Sequence, residues 1–218
     1  MWCYNGGGVV LSFHYTKKNY SSYFLLISVV IGTIINICGA IFTTYFNIPL
    51  YLDAIGTIFV AILGGGLPAI ITGMLSSIIF NQFVLGYLYF SIINVLIALI
   101  TSWFAHYSRR SKIVRLLGYI FGTSLVCSCL GMLIQYLVPG LPMQENVIEI
   151  SKLFITGEGE GLYIYFTIVS FFLNLVDKAI SIFIALILNK LVPESVKEII
   201  NSYGWRQKPL TIDEIRAY

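Results

Sequence analysis

Asn174, Asp177, Lys178 and Ser181 stand at positions i, i+3, i+4 and i+7 of an otherwise apolar run. On a helix they share one face. Lipid cannot satisfy such side chains, so that face must look into a bundle, to hold another helix or a ligand. A second acid poses the same problem. Between Lys18 and Arg109 the chain runs ninety residues with Asp53 as its one charged side chain. An acid at the centre of a spanning helix costs about 2.5–3.5 kcal/mol on insertion scales. Asp53 opens an apolar segment, where a carboxylate caps free N–H groups and favours the positive end of the helix dipole. A ligand contact or a relay is the other reading. Asn81, Gln82, Asn94, Gln135 and Tyr136 interrupt apolar runs near the corresponding ends of their segments. Asn36, Asn94 and Asn174 also read as hydrogen bonders between helices. Asp177 and Lys178 are adjacent and do not face each other on a helix, so each is expected to pair with another helix. Asp177 lies about 22 Å in from its outer end at 1.5 Å per residue. That is too deep for a substrate at the outer mouth, which leaves a structural or coupling role.

The elements that would position these residues are membrane helices. Of 218 residues 58% are hydrophobic and 11% charged, with a mean hydropathy of +0.87; soluble domains carry about a quarter charged residues. The fold class is an all-α integral membrane protein, a six-transmembrane-helix bundle. Its segments are Tyr23–Phe46, Tyr51–Leu63, Ala69–Leu85, Tyr87–Tyr107, Ile113–Val138 and Leu162–Leu191. Gly64-Gly65-Gly66-Leu67-Pro68 divides the second from the third, and these two are short enough to form a re-entrant hairpin instead of two spans. Residues 1–22 and 192–218 flank the membrane domain at 23–191 as cytoplasmic segments, the latter with a short helix turning Val196, Ile199, Ile200 and Tyr203 inward.

Charge placement orients the bundle. If six segments alternate, eleven of the thirteen lysines and arginines fall on one side, in the N-terminal segment, the Arg109–Arg115 connection and the C-terminal end. Lys152 alone lies opposite, and Lys178 is within the sixth segment. The positive-inside rule then puts both termini in the cytoplasm. The longest external connection is Pro139–Gly161, which carries Glu145, Glu149, Glu158 and Glu160; it reads as a binding loop or as a solvated connector. Tyr51, Tyr87 and Trp103 sit at segment ends, as an interfacial belt does. Phe83, Tyr89, Phe90 and Tyr136 are candidates to stack on a planar ligand.

Several functions lose support from the sequence. It has no Gly-x-x-x-x-Gly-Lys-Ser/Thr phosphate loop, no His-Glu-x-x-His and no visible nucleophile–base pair. Cys38, Cys127 and Cys129 lie in apolar runs without a ligand spacing. The expectation is therefore no enzyme, no metal, no cofactor bound by this chain and no nucleic-acid partner, but a binding module that serves other proteins.

Phe46-Asn-Ile-Pro-Leu-Tyr-Leu-Asp53-Ala-Ile-Gly56-Thr57, leading into Gly64-Gly-Gly-Leu-Pro68-Ala, and Asn174-Leu-Val-Asp177-Lys178 running on to Leu191-Val-Pro193 carry a resemblance. With six short-looped segments, the region from Tyr23 to Pro193 resembles the substrate-binding S components of energy-coupling-factor (ECF) transporters. The resemblance implies a multi-pass protein of a prokaryotic plasma membrane that captures a vitamin or similar micronutrient from outside. It implies a transmembrane T component and two cytosolic ATPase subunits as partners, with ATP used by those subunits. It places the substrate site in the outer half, here at Asp53, Asn81, Gln82, Asn94, Tyr136 and Glu158. The family's first helix meets the T component through small residues spaced by four. This chain lacks an Ala-x-x-x-Ala pattern and offers Gly32, Gly39, Ala40 and Thr43, with Asn174, Asp177 and Lys178 for interhelical coupling. The competing reading is a ligand-sensing membrane domain without transport activity.

The orientation is directly testable. A cysteine placed by Arg110→Cys should react with a membrane-impermeant maleimide only after cells are opened. Reaction in intact cells would reverse the topology.

Overall fold

A computed structural model of the chain describes residues 13–106, 112–138, 141 and 160–201. The described residues are all-helical, with no strand among them. Helix α1 spans Phe13–Tyr45, α2 Ile55–Gly64, α3 Gly66–Phe80, α4 Ser91–His106, α5 Lys112–Leu137, α6 Glu160–Leu191 and α7 Glu194–Asn201, with a 3-10 turn at Tyr87–Phe90 before α4. Among the described residues four stretches are long and apolar enough to cross a membrane: Ser22–Tyr45, Tyr87–Ala105, Ile113–Leu137 and Tyr165–Leu191. Their outer faces are oily: on α1 Leu26, Val30, Ile34, Ile41 and Phe42 are exposed within the chain. Such residues suit lipid rather than water.

The second and third segments are shorter than the sequence suggested. Helix α2 has 10 residues and α3 has 15, about 15 and 22 Å at 1.5 Å per residue, against a hydrocarbon core of about 30 Å. Neither reaches across as a helix. The second begins at Ile55 rather than Tyr51 because the preceding segment is irregular, with Asn47 (φ 53°) and Leu52 (φ 46°) both left-handed. Residues 46–54 instead run back along α1, where the Leu52 carbonyl lies against Gly39. Helix α2 continues along α1, passing Gly32 at Gly56 and reaching Leu25 at Gly64. The chain turns at Gly65 (φ 89°) and α3 returns. Pro68 is accommodated in the first turn of α3, where N–H groups have no helical acceptor anyway.

Helix α2 is the centre of the molecule. Every residue of it except Ile62 is buried, as expected for a helix that is apolar all round. It packs against α1, α3, α4, α6 and α7. The core around it includes Ile58, Val60, Ala61, Ala69, Ile97 and Ala185. Helix α7 closes one end, with Ile200 in the core and Val196 packed against it. That matches two inward positions read for the tail helix; Tyr203 lies outside the described residues.

Gly32 and Gly39 are engaged within the chain, and Ala40 is buried too. A Cβ on Gly56 would sit 1.9 Å from the Gly32 carbonyl oxygen, and one on Gly39 2.1 Å from that of Leu52. The small residues of α1 therefore serve close internal packing. Gly56→Ala is expected to destabilise the protein by about 1–3 kcal/mol, the usual cost of overpacking, read as a lower Tm in detergent. Gly122→Ala should have no such cost, because nothing lies within 4 Å of the added Cβ.

Candidate ligand-binding site

A cavity of about 240 Å³ lies where one set of helix ends converges. Its walls come from Thr44 of α1, Tyr51 and Asp53 of the α1–α2 segment, Phe80 of α3, and Val84 and Tyr87 beyond it. Phe90, Ile93, Asn94 and Ile97 of the α4 region, and Cys127, Gly131 and Gln135 of α5, extend them. Phe166, Ser170, Asn174 and Lys178 of α6 complete the lining. The site lies toward the N-terminal end of α4 and the C-terminal end of α5. Its volume is just under the roughly 300–1,000 Å³ of drug-sized pockets, so it suits a molecule of one or two rings.

The depth of the cavity depends on one carboxylate. Asp177 Oδ1 accepts the backbone N–H of Tyr51 at 3.1 Å and that of Leu52 at 2.8 Å. Its Oδ2 accepts Lys178 Nζ at 2.6 Å. Asp177 is 0% and Lys178 2% exposed. A leucine in the left-handed region is unfavourable by about 1–2 kcal/mol, and here it is held by a charge-assisted pair of amide bonds. Thr43 Oγ1 donates to the Tyr51 carbonyl at 3.2 Å from the other side. The loop is thus drawn down into the bundle between α1 and α6.

Two sequence expectations change here. Asp177 and Lys178 pair with each other rather than with separate helices. Their Cβ atoms diverge on the helix, but the flexible lysine stem folds back to the one acidic oxygen the backbone leaves free. Asp177 binds the backbone of the α1–α2 segment, and its neighbourhood is not beyond a ligand's reach, because the cavity descends to Lys178.

The start of α2 is capped from another helix. Ala54 at the N-cap has no side-chain oxygen to offer. Asn36 of α1 supplies it: its Oδ1 accepts the N–H of Gly56 at 2.7 Å and of Thr57 at 3.3 Å. Its Nδ2 donates to Thr57 Oγ1 at 2.8 Å and Ser76 Oγ at 3.1 Å. This buried amide joins three helices and leaves the Asp53 carboxylate free of capping. Asp53 Oδ2 accepts the hydroxyl of Tyr87 instead, at the cavity wall. Tyr87 packs edge-on against Phe80 at 4.6 Å and lies 6.1 Å from Phe90.

The expected substrate residues divide. Asp53 and Asn94 line the cavity, and Asn94 Nδ2 also donates to Ser77 Oγ at 3.0 Å. Asn81 is outside it and accepts the Leu88 N–H at 3.0 Å, shaping the turn into α4. Gln82 and Tyr136 are exposed and away from the cavity. Glu158 and nearly all of Pro139–Gly161 lie outside the described residues. The predicted polar face of α6 is buried throughout, at Asn174, Asp177, Lys178 and Ser181. Asn174 Nδ2 reaches Ser128 Oγ on α5 at 3.3 Å, and Asn174 and Lys178 also line the cavity. Of the aromatic candidates, Phe90 lines it, whereas Phe83 and Tyr89 are exposed. Tyr51 and Tyr87, read as interfacial, line the cavity instead. A usable signal for the α5 wall was the spacing Cys127, Gly131, Gln135, every fourth residue on one face.

No family model, curated protein or solved structure matches the chain.

The buried pair makes a stability prediction. Asp177→Ala leaves Lys178 and two backbone amides without their acceptor and is expected to cost about 3–5 kcal/mol. The double variant Asp177→Asn with Lys178→Met removes both charges and keeps an amide acceptor. It should recover most of the loss in a detergent unfolding assay; equal losses would show that the charges are not what matters.

Proposed function

We propose that this protein is a membrane-embedded substrate-capture component of the S type, part of an ECF-class importer. It takes up a small micronutrient, of the size of a vitamin, from outside. A transmembrane T component and two ATPase subunits would supply the motor, since the sequence has no phosphate loop of its own. The chain acts as a binding protein rather than an enzyme, in a prokaryotic plasma membrane with both termini in the cytoplasm.

The observation that carries this reading is the cavity. It is a concave site in one half of the bundle, lined by aromatic rings with a few convergent polar groups, Asp53, Asn94, Gln135 and Asn174. That is how small-molecule sites are built. The cavity lies toward the N-terminal end of α4 and the C-terminal end of α5, the ends that the positive-inside rule assigns to the outside. The charge pattern and the position of the cavity thus agree with capture from the exterior. The resemblance of Phe46–Thr57 and of Asn174–Pro193 to S components supports the same reading.

Mass spectrometry of the native protein in detergent is expected to show a retained small molecule, and affinity purification from its host should bring down ATPase subunits. A signalling partner without ATPases would overturn transport in favour of ligand sensing. Asp53→Asn should lower affinity for that molecule about tenfold, the factor for some 1.4 kcal/mol, with expression unchanged. Unaltered binding with poor expression would make Asp53 a structural residue.

A further inference from the structure

The charges around the cavity do not cancel. Lys178 and Asp177 neutralise each other at 2.6 Å, and the second oxygen of Asp177 is taken by the amides of Tyr51 and Leu52. That pair carries no net formal charge. Asp53 is left over. Its carboxylate faces the cavity, and among the described residues Tyr87 is the one side chain that donates to it. The lining holds no lysine or arginine other than Lys178. A half-buried carboxylate with a single side-chain donor keeps acceptor capacity toward the cavity, because it has about four lone-pair sites.

A second atom also keeps acceptor capacity. Gln135 Oε1 is buried, belongs to a lining residue and has no hydrogen-bond partner. The amide donors nearby point elsewhere, Asn94 Nδ2 to Ser77 and Asn174 Nδ2 to Ser128 and Ser170. Both groups therefore offer acceptors to the cavity, one of them a carboxylate. Lys178 has N–H bonds to spare, and an uncharged acceptor on the same ligand would use them, but its formal charge is already cancelled. The lining that holds Asp53 also holds Phe80, Tyr87 and Phe90, whose ring faces attract cations.

We infer that the cavity takes a small, planar organic monocation rich in N–H donors, an amidinium or a protonated amino-heterocycle. Its charge is set against Asp53, a donor reaches Gln135 Oε1, and its ring lies among Phe80, Tyr87 and Phe90. Occupancy completes the charge balance of the site, so a neutral or anionic molecule of the same shape is rejected. This rests on the reading of the cavity as a capture site.

The test uses the full chain in nanodiscs of zwitterionic lipid, where headgroups do not concentrate cations. Benzamidinium, benzamide and benzoate share a ring and nearly a shape, and their affinities are measured by titration of thermal stability. Benzamidinium is expected to bind at least about tenfold more tightly than the other two. Asp53→Asn should abolish that preference, and Gln135→Leu should weaken benzamidinium severalfold. Benzoate binding as tightly would overturn the charge assignment. Preference for benzamide would mean that Asp53 is a neutral acid, and would overturn it equally. If Asp53→Asn does not fold, the wild-type series decides alone. If none of the three binds, the cation class is wrong. The capture reading then stands where native mass spectrometry of the same preparation shows a retained molecule, and falls where it shows none.

Discussion

Asp177 holds the α1–α2 segment inside the bundle, and much of the rest of the structure depends on that bond. Within a membrane, backbone N–H groups outside a helix have no water to turn to. The amides of Tyr51 and Leu52 find their acceptor in a carboxylate from the far end of the sequence. Without it an irregular segment at this depth would be untenable, and a ten-residue α2 would have no way to start in mid-bundle. The carboxylate in turn would be too costly to bury alone, and Lys178 offsets its charge. Loop, short helix and ion pair are one solution to a shortage of hydrogen-bond partners.

The same shortage explains why side-chain amides do the work of caps. Asn36 serves two amides and two hydroxyls from a single buried position. Because it relieves Asp53 of the start of α2, the acid is available to the cavity. Close packing of glycine on backbone at Gly32 and Gly56 lets that amide reach across. Polar and small residues therefore share one task, bringing backbones near enough for internal bonding.

Much of this was legible in the residues themselves. The membrane class and the long helices followed from length and apolarity, and the inward face of α6 from its i, i+3, i+4, i+7 spacing. Asp53 and Asn94 stood out because ionised or amide groups in oil need partners. The cavity aromatics did not. A tyrosine at a segment end has the same surroundings in sequence whether it faces headgroups or a pocket, so Tyr51 and Tyr87 read as interfacial. The left-handed turn at Leu52 left no trace, since leucine has no preference for it. That concealed both the late start of α2 and the descent of the loop. The bond between neighbours Asp177 and Lys178 escaped a rule built on Cβ directions, because a four-carbon stem is long enough to double back.

The peptide at Tyr51–Leu52 is suspended between two supports that are remote in sequence. Its amides hang from Asp177 on α6, while its carbonyl side is pressed on Gly39 and tied to Thr43 on α1. A change in the spacing or tilt of these helices must pull or release that peptide, and with it the adjoining wall at Asp53. One wall of the cavity is thereby tied to the placement of both α1 and α6.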